Sequence, residues 1–175
     1  MLLGARIRYG NALEAARALI EAGLTTPRKM AEASWQERVD VITWHGYKRY
    51  DERTSTMLGD TAEMVLREHN GDLRKLREAA GRNVKREHAL LQQFTGIGPV
   101  GADIFLREAQ LVWDEAFPYA DKKVLRAASR LGLGHDAEQL SKLVGKKDFA
   151  RLTAALIRTD LQNGYDAVRQ KAARG

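Results

Sequence analysis

The sequence contains no cysteine, and this absence excludes several classes of protein. Disulfide frameworks, thiolate zinc sites and iron–sulfur clusters all require cysteine, so this chain can form none of them. Nothing in it points to an oxidising compartment, and we expect a cytoplasmic location, on the nucleoid if the source is bacterial. Long apolar runs are missing too, since no stretch approaches the roughly 18 residues of a membrane span. The start of the chain lacks the pattern of a signal peptide, so we expect neither secretion nor membrane anchoring.

Strand signals are equally scarce, because the β-branched runs that mark strands do not occur. Apolar residues instead recur three and four positions apart, which is the spacing of amphipathic helices. The chain has 175 residues, of which 44% are hydrophobic and 30% charged, so it is large enough for one or two small globular domains. The sequence therefore predicts an all-α protein.

Charge favours a polyanionic partner, because the 29 Lys and Arg residues exceed the 23 Asp and Glu residues by six. A basic surface attracts nucleic acid through long-range electrostatics and the release of counterions. Many basic proteins bind no nucleic acid, so charge alone does not establish a site.

Helix-start and helix-stop residues divide the chain into segments. Asn11 is the expected N-cap of a first helix, whose apolar stripe would be Leu13, Ala16, Ile20 and Leu24. Further helices are predicted over 27–33, 51–69, 84–94, 121–133, 137–144 and 146–163. Three more are predicted by their starts: one capped by Ser34, one capped by Asp72 and one that begins at Pro99. Among the aromatic residues, we expect Trp35 and Trp44 in the core.

The most informative motif is Phe94-Thr95-Gly96-Ile97-Gly98-Pro99-Val100-Gly101-Ala102, between two predicted helices. Two glycines around one apolar residue allow positive φ and close approach of the backbone, and proline preorganises the following helix. Exposed amides at that helix start would bind phosphate. The alternative is a tight helix–helix turn in which Ile97 only fills the core.

A second element follows one helix later, where Ala120-Asp121-Lys122-Lys123-Val124-Leu125-Arg126-Ala127 precedes Arg130-Leu131-Gly132-Leu133. The hairpin and this element together resemble the helix-hairpin-helix DNA glycosylase superfamily, which includes endonuclease III, adenine glycosylase and the 3-methyladenine glycosylases. The resemblance covers most of the chain. It extends upstream to Leu2-Leu3-Gly4-Ala5-Arg6, to Gly46-Tyr47 and to Glu68-His69-Asn70-Gly71-Asp72.

The resemblance implies a two-lobed, all-α fold. A helical barrel lobe would span 1–110, with the helix-hairpin-helix at 84–113, and a smaller helical lobe would span 111–175 and carry Asp121. The family completes its second lobe with helix from the N-terminus, which we expect this chain to lack. The hairpin and Asp121 would face the cleft between the lobes.

The resemblance also implies a monofunctional glycosylase. Val100 stands where bifunctional members carry the lysine of their lyase activity, so no Schiff base can form at that position. Asp121 would stabilise an oxocarbenium-like sugar after a damaged or mismatched base has flipped out of duplex DNA. Asp121 also stands where an N-cap is expected, and the two roles are compatible.

The expected DNA contacts come from the hairpin, from the helix after Asp121 and from two upstream positions. They are Gly96, Ile97, Gly98, Val100, Gly101, Lys122, Lys123, Arg126, Arg6 and Tyr47. Tyr47 is the candidate wedge that enters the base stack. Arg6 replaces the family's glutamine, Lys122-Lys123 replaces its threonine and histidine, and surface charge is the simpler explanation for any single basic residue.

We expect no metal centre, because the four histidines lack the spacing of metal ligands. A monovalent cation between hairpin carbonyls and phosphate follows from the resemblance only. The expected partner is lesion-containing double-stranded DNA. Two alternatives stay open: a non-catalytic DNA-binding module in which Asp121 only caps its helix, and a lyase that uses Lys122 or Lys123.

Overall fold

The computed structural model describes residues 2, 8–44, 46–47 and 50–174. Within these residues the chain forms ten α-helices and contains no strand, so the all-α prediction is confirmed. The helices are α1 (Tyr9–Glu21), α2 (Pro27–Glu32), α3 (Trp35–Thr43), α4 (Asp51–His69), α5 (Leu73–Ala79), α6 (Val84–Leu91), α7 (Pro99–Ala109), α8 (Lys122–Arg130), α9 (Ala137–Leu161) and α10 (Tyr165–Ala172). A single 3-10 turn, Asp114–Ala116, lies between α7 and α8.

The chain divides into two compact units, Met1–Ala102 and Asp103–Gly175, which we call the N-terminal and C-terminal units. The division falls within α7, which begins in the first unit and ends in the second. The boundary predicted from the sequence lies later, after residue 110.

In the N-terminal unit, α4 packs against α2, α3 and α5, and α1 packs against α3. Local signals set the boundaries of α3 and α4. Ser34 and Glu37 form a reciprocal capping box at the start of α3, and Asn70 ends α4 in the left-handed conformation. Both boundaries were predicted from the sequence, and both are confirmed.

The predicted start and buried face of α1 are wrong. The helix begins at Tyr9, so Asn11 lies inside it and donates its side-chain amide to the carbonyl of Gly46 (3.1 Å) instead of capping the helix. The buried face consists of small residues and one leucine, namely Ala12, Ala15, Ala18 and Leu19. Alanines let two helix backbones approach closely, whereas Ile20 of the predicted stripe is exposed.

A buried arginine joins three elements of this unit. Arg38 of α3 donates hydrogen bonds to the carbonyls of Met30 (2.9 Å), Ala33 (2.5 Å) and Ser55 (3.1 Å). Its guanidinium lies against Gly59 of α4, where an added Cβ would stand 2.7 Å from Nη2. The glycine inside α4 is therefore required by the packing of Arg38.

The aromatic assignments of this unit are also corrected. Tyr47 is fully buried among the core residues of α1 and α3, and its hydroxyl lies 3.1 Å from Thr54 Oγ1. Trp44 is 84% exposed and Trp35 is 41% exposed, so neither belongs to the core as expected. The Trp35 side chain is partly covered and partly exposed to solvent, and its indole N–H donates to Thr56 Oγ1 (3.1 Å).

In the C-terminal unit, α8 packs against α9 around a core that includes Val124, Leu140, Phe149 and Tyr165. The predicted break between two helices near residue 145 is present, since Gly145 adopts φ 68° and ψ 174° inside α9. The sequence analysis missed α10. It begins at Tyr165, which is buried in the core of this unit.

No helix among the described residues combines the length and apolar character needed to cross a membrane.

Candidate active site and nucleic-acid interface

The hairpin joins α6 to α7. The predicted first helix is too long, because α6 ends at Leu91 and Phe94 lies in the turn, buried, with its ring centroid 6.0 Å from that of His69. The turn is closed by the Ile97 N–H, which donates to the Phe94 carbonyl (3.0 Å). The Ala102 N–H then donates to the Gly98 carbonyl (3.0 Å), which leaves the earlier amides of α7 without an intrahelical acceptor.

The glycines of the hairpin have different roles. Gly96 adopts φ 78°, and a Cβ added there would overlap the sulfur of Met57, so both conformation and packing require glycine. Gly98 has open space instead, since an added Cβ would meet no atom within 4 Å. The backbone at Gly98 is therefore accessible to a ligand.

The side chains of the hairpin leave this backbone exposed. Val100, in the first turn of α7, is 66% exposed, and Ile97 is half-buried rather than fully inserted into the core. Gly101 lies under Ile97, whose Cγ2 would be 3.1 Å from an added Cβ. The arrangement fits an amide-lined anion site and is not explained by core filling alone.

One side of the hairpin is acidic. Gln93 and Thr95 line an open cavity of about 410 Å³ together with carboxylates of α4, and the residues from α4 are Asp60, Glu63, Met64, Arg67 and Glu68. Carboxylates repel phosphate, so this cavity does not favour a polyanion.

Asp121 caps α8, as its position in the sequence predicts. Its Oδ1 accepts hydrogen bonds from the backbone amides of Lys123 (2.8 Å) and Val124 (3.0 Å). Its Oδ2 accepts a hydrogen bond from Nη1 of Arg107 (2.7 Å), and the two side chains are 7% and 10% exposed. The carboxylate is thus held in one orientation by a helix start on one side and a cation on the other.

A polar network surrounds this pair. The Tyr119 hydroxyl donates to Asp103 Oδ1 (2.6 Å), and the Tyr119 backbone exchanges two hydrogen bonds with the side-chain amide of Gln110. Burial raises the pKa of Tyr119, and the hydrogen bond to Asp103 raises it further. Tyr119 therefore stays protonated and acts as a hydrogen-bond donor.

The basic residues of α8 gather around one carboxylate of α9. Asp160 lies 3.8 Å from Lys123 Nζ, 3.4 Å from Arg126 Nη2 and 3.9 Å from Arg130 Nη1. The Tyr165 hydroxyl donates to Asp160 (2.7 Å), and this hydrogen bond, followed by the charges of Arg126 and Lys123, lowers the pKa of Asp160. Three cations on a single carboxylate leave a net positive surface.

The remaining predicted DNA contacts are Lys122, Tyr47 and Arg6, and the outcome differs for each. Lys122 is exposed at the start of α8. The burial of Tyr47 corrects its expected role as a wedge, because a core side chain whose hydroxyl lies within hydrogen-bonding distance of Thr54 is not presented to DNA. Arg6 lies outside the described residues.

The described residues contain no group of three or more histidine, aspartate or glutamate side chains that could hold a metal ion.

Sequence reasoning missed Arg107, Asp103 and Tyr119. A weak signal was present, since Asp103 and Arg107 lie four residues apart and therefore share one face of α7. Such spacing is common on solvated helices, so it does not identify a partner for Asp121.

No protein-family model and no curated protein matches the chain. Among solved structures, it is similar to endonuclease III in a trapped covalent intermediate with DNA, an estranged-adenine complex. The TM-score is 0.52 and the identity 18%, over 90% of this chain and 69% of that chain. This likeness establishes an endonuclease III-like, all-α fold, in agreement with the fold expected from the hairpin and the Asp121 motif.

Proposed function

We propose that this protein is a monofunctional DNA glycosylase that removes a damaged or mismatched base from duplex DNA. The observation that carries the proposal is the fixed carboxylate of Asp121, nine-tenths buried and oriented by two amides of α8. A preorganised buried charge is what stabilisation of a sugar cation requires. The endonuclease III-like fold and the open amides of the hairpin support the same assignment.

The proposed reaction breaks the bond between C1′ and the base nitrogen. The bonding electrons leave with the base, which takes up a proton, and positive charge develops on the sugar. Asp121 opposes that charge, and water then adds its oxygen to C1′ while its proton passes to the carboxylate or to solvent. Val100 carries no amine, so the abasic strand stays intact.

DNA would be held by backbone amides and by cations. The Gly98 side of the hairpin offers N–H groups to one phosphate, and the α8 cations Lys122, Lys123 and Arg126 offer charge to others. The resemblance adds a monovalent cation at the hairpin carbonyls. The net charge of +6 favours the encounter with duplex DNA.

A second candidate function is DNA binding without catalysis. It is favoured by the complete set of partners on Asp121, since both carboxylate oxygens already serve structural contacts to α8 and Arg107. In that case Asp121 would stabilise the helix start and the ion pair only.

A base-release screen separates the two. The protein and its Asp121→Asn variant are incubated with duplexes that carry alkylated purine, uracil, oxidised base or mismatched adenine, and the products are treated with alkali. Alkali-dependent strand cleavage by the wild type, but not by the variant, supports the glycosylase. Salt-sensitive binding without cleavage of any duplex supports the binding module.

Borohydride tests the lyase alternative in the same samples. A Schiff base from Lys122 or Lys123 would be reduced to a stable protein–DNA adduct. We expect no adduct and no strand cleavage before alkali. Trapping that disappears in a Lys122→Ala or Lys123→Ala variant would contradict monofunctional chemistry.

A further inference from the structure

Arg107 places a full positive charge directly against Asp121. The Nη1 to Oδ2 distance is 2.7 Å, and water is largely excluded from both side chains. Charges in such surroundings interact much more strongly than in water. In this arrangement, the positive charge of Arg107 opposes the negative charge of the Asp121 carboxylate.

The two oxygens of Asp121 have separate partners. Oδ1 is held by the amides of Lys123 and Val124, whereas Oδ2 is held by Arg107. Departure of Arg107 would therefore expose Oδ2 and leave the negative charge of Asp121 without a cation beside it. The hydrogen bonds from the α8 amides to Oδ1 would keep the carboxylate in place. The site contains the elements of a switch between a neutralised and an active carboxylate.

The arginine itself has one donor unused. Its Nε is buried and has no hydrogen-bond partner in the part of the chain that the structure describes. A buried donor without an acceptor is costly, so this arrangement does not satisfy Arg107 fully. A nucleotide carries many acceptor oxygens on its base, sugar and phosphate, and one of them would supply the missing partner.

We propose that Arg107 is a positioning residue that keeps Asp121 neutralised in the free protein and turns to an acceptor oxygen of the bound nucleotide. This inference rests on the proposed glycosylase activity. It assigns the onset of activity to nucleotide binding, so that the carboxylate acquires its full charge only when a substrate occupies the site.

Three variants test the inference. Arg107→Gln removes the charge, Arg107→Lys keeps the charge but lacks Nε–H, and Arg151→Gln serves as the control. Arg151 is exposed and pairs with Asp148 in a surface contact (3.3 Å), and Arg151→Gln changes the net charge by the same amount as Arg107→Gln. Two quantities are measured: the single-turnover rate of base release, and the Kd for a duplex with a tetrahydrofuran abasic-site analogue, which does not depend on activity.

We expect the rate and the affinity of Arg107→Gln to change in opposite directions. Arg107→Gln should raise the rate about tenfold, because base release by the wild type must wait for Arg107 to leave Asp121 and the variant has no such step. It should weaken binding of the analogue by about threefold to tenfold, the effect of one lost hydrogen bond. Arg107→Lys should lose the same affinity and release the base more slowly than the wild type, because its charge stays on Asp121, and Arg151→Gln should change neither quantity.

A purely structural Arg107 would give a different pattern. Arg107→Gln would then lower the rate together with stability, and this result would overturn the inference. Should Arg107→Gln not fold, an unchanged affinity in Arg107→Lys would overturn the assignment of Nε to the nucleotide. If no form releases any base, the proposed glycosylase fails, while the Kd comparison still decides whether Arg107 contacts a bound nucleotide.

Discussion

Among the described residues, each unit buries one arginine to the same extent, but the two arginines have different partners. Arg38 in the N-terminal unit and Arg107 in the C-terminal unit are both 8% exposed. Arg38 donates to three backbone carbonyls, whereas Arg107 faces the carboxylate of Asp121 and leaves Nε unpartnered within the described residues. Arg38 therefore joins elements through backbone contacts, whereas Arg107 belongs to the ion pair for which we propose a switch.

The contrast extends to the surroundings of each arginine. In the N-terminal unit, the guanidinium of Arg38 donates to neutral backbone carbonyls and lies against Gly59. The C-terminal unit places Asp103, Tyr119 and Asp121 near Arg107, and gathers three cations around Asp160. Removal of charge should therefore affect stability most in the first unit, and pH, salt and catalysis most in the second.

The largest effect is expected from Arg38→Met. The substitution leaves three carbonyls without their donor, and we expect the N-terminal unit to lose about 3–5 kcal/mol of unfolding free energy. Urea denaturation, with hydrogen exchange resolved by segment, measures the loss in α2, α3 and α4. Arg17→Met is the control, because Arg17 makes only an exposed pair with Glu14 and should change stability by less than about 0.5 kcal/mol. A loss below about 1 kcal/mol in Arg38→Met would contradict the claim that Arg38 joins these three elements.

A smaller effect is expected from Gly96→Ala in the hairpin. Positive φ disfavours alanine and the new Cβ displaces Met57, so we expect a loss of about 2–3 kcal/mol. Gly98→Ala is the matched variant, since its Cβ meets no atom and φ is not positive. It should leave thermal stability within about 0.5 kcal/mol of wild type and weaken binding to duplex DNA in a titration. Unchanged DNA affinity in Gly98→Ala would argue against the hairpin as a phosphate site.

A smaller change, confined to the C-terminal unit, is expected from Asp160→Asn. The Tyr165 hydroxyl and the nearby cations lower the pKa of Asp160 from its ordinary value of 3.8, so the ionised form is favoured by folding. Its contribution is therefore complete above that ordinary value and is lost as the pH falls through the lowered pKa. We expect Tm to drop by about 2–4 °C at pH 7 and the difference from wild type to shrink below about pH 4. Asp166→Asn on the surface of α10 should leave the Tm profile unchanged, and equal profiles for all three proteins would exclude the Asp160 cluster as a stabilising element.

The smallest effect is expected from Trp44→Ser. An 84% exposed side chain contributes little packing, so the unfolding free energy should change by less than about 0.5 kcal/mol. Tyr47→Phe removes only the hydroxyl that lies beside Thr54, and should cost about 1 kcal/mol in the same denaturation experiment. If Trp44→Ser lost more unfolding free energy than Tyr47→Phe, the result would contradict the exposed position of Trp44 and the buried position of Tyr47.

Local signals explain which parts of the fold were predictable. The cap at Ser34, the stop at Asn70 and the break at Gly145 depend on residues close in sequence, and all three appear as predicted. The buried face of α1 was not predictable in this way. Alanines bury little area each, so a close helix contact made by Ala12 and Ala15 leaves almost no hydrophobic signal.

The same limit applies to the candidate site. Asp121 was identified as a cap from its position before a predicted helix and as a carboxylate of interest from the resemblance to the glycosylase superfamily, and the cap is confirmed. Arg107 and Tyr119 were not, because their contacts depend on how the segment between α7 and α8 returns to α7. The exchange of roles between Tyr47 and Trp44 has a similar cause, since both are aromatic and only the packing of the unit decides which is covered.

The most direct test of the proposed function compares base release by the wild type and by Asp121→Asn on one lesion duplex, with both proteins saturating the DNA. Asparagine preserves the N-cap, so the substitution removes the charge and keeps the helix start. We predict that the variant binds the duplex at least as tightly as the wild type and that its rate falls by about a hundredfold or more. Equal rates in the two proteins would contradict the assignment of Asp121 as the catalytic carboxylate.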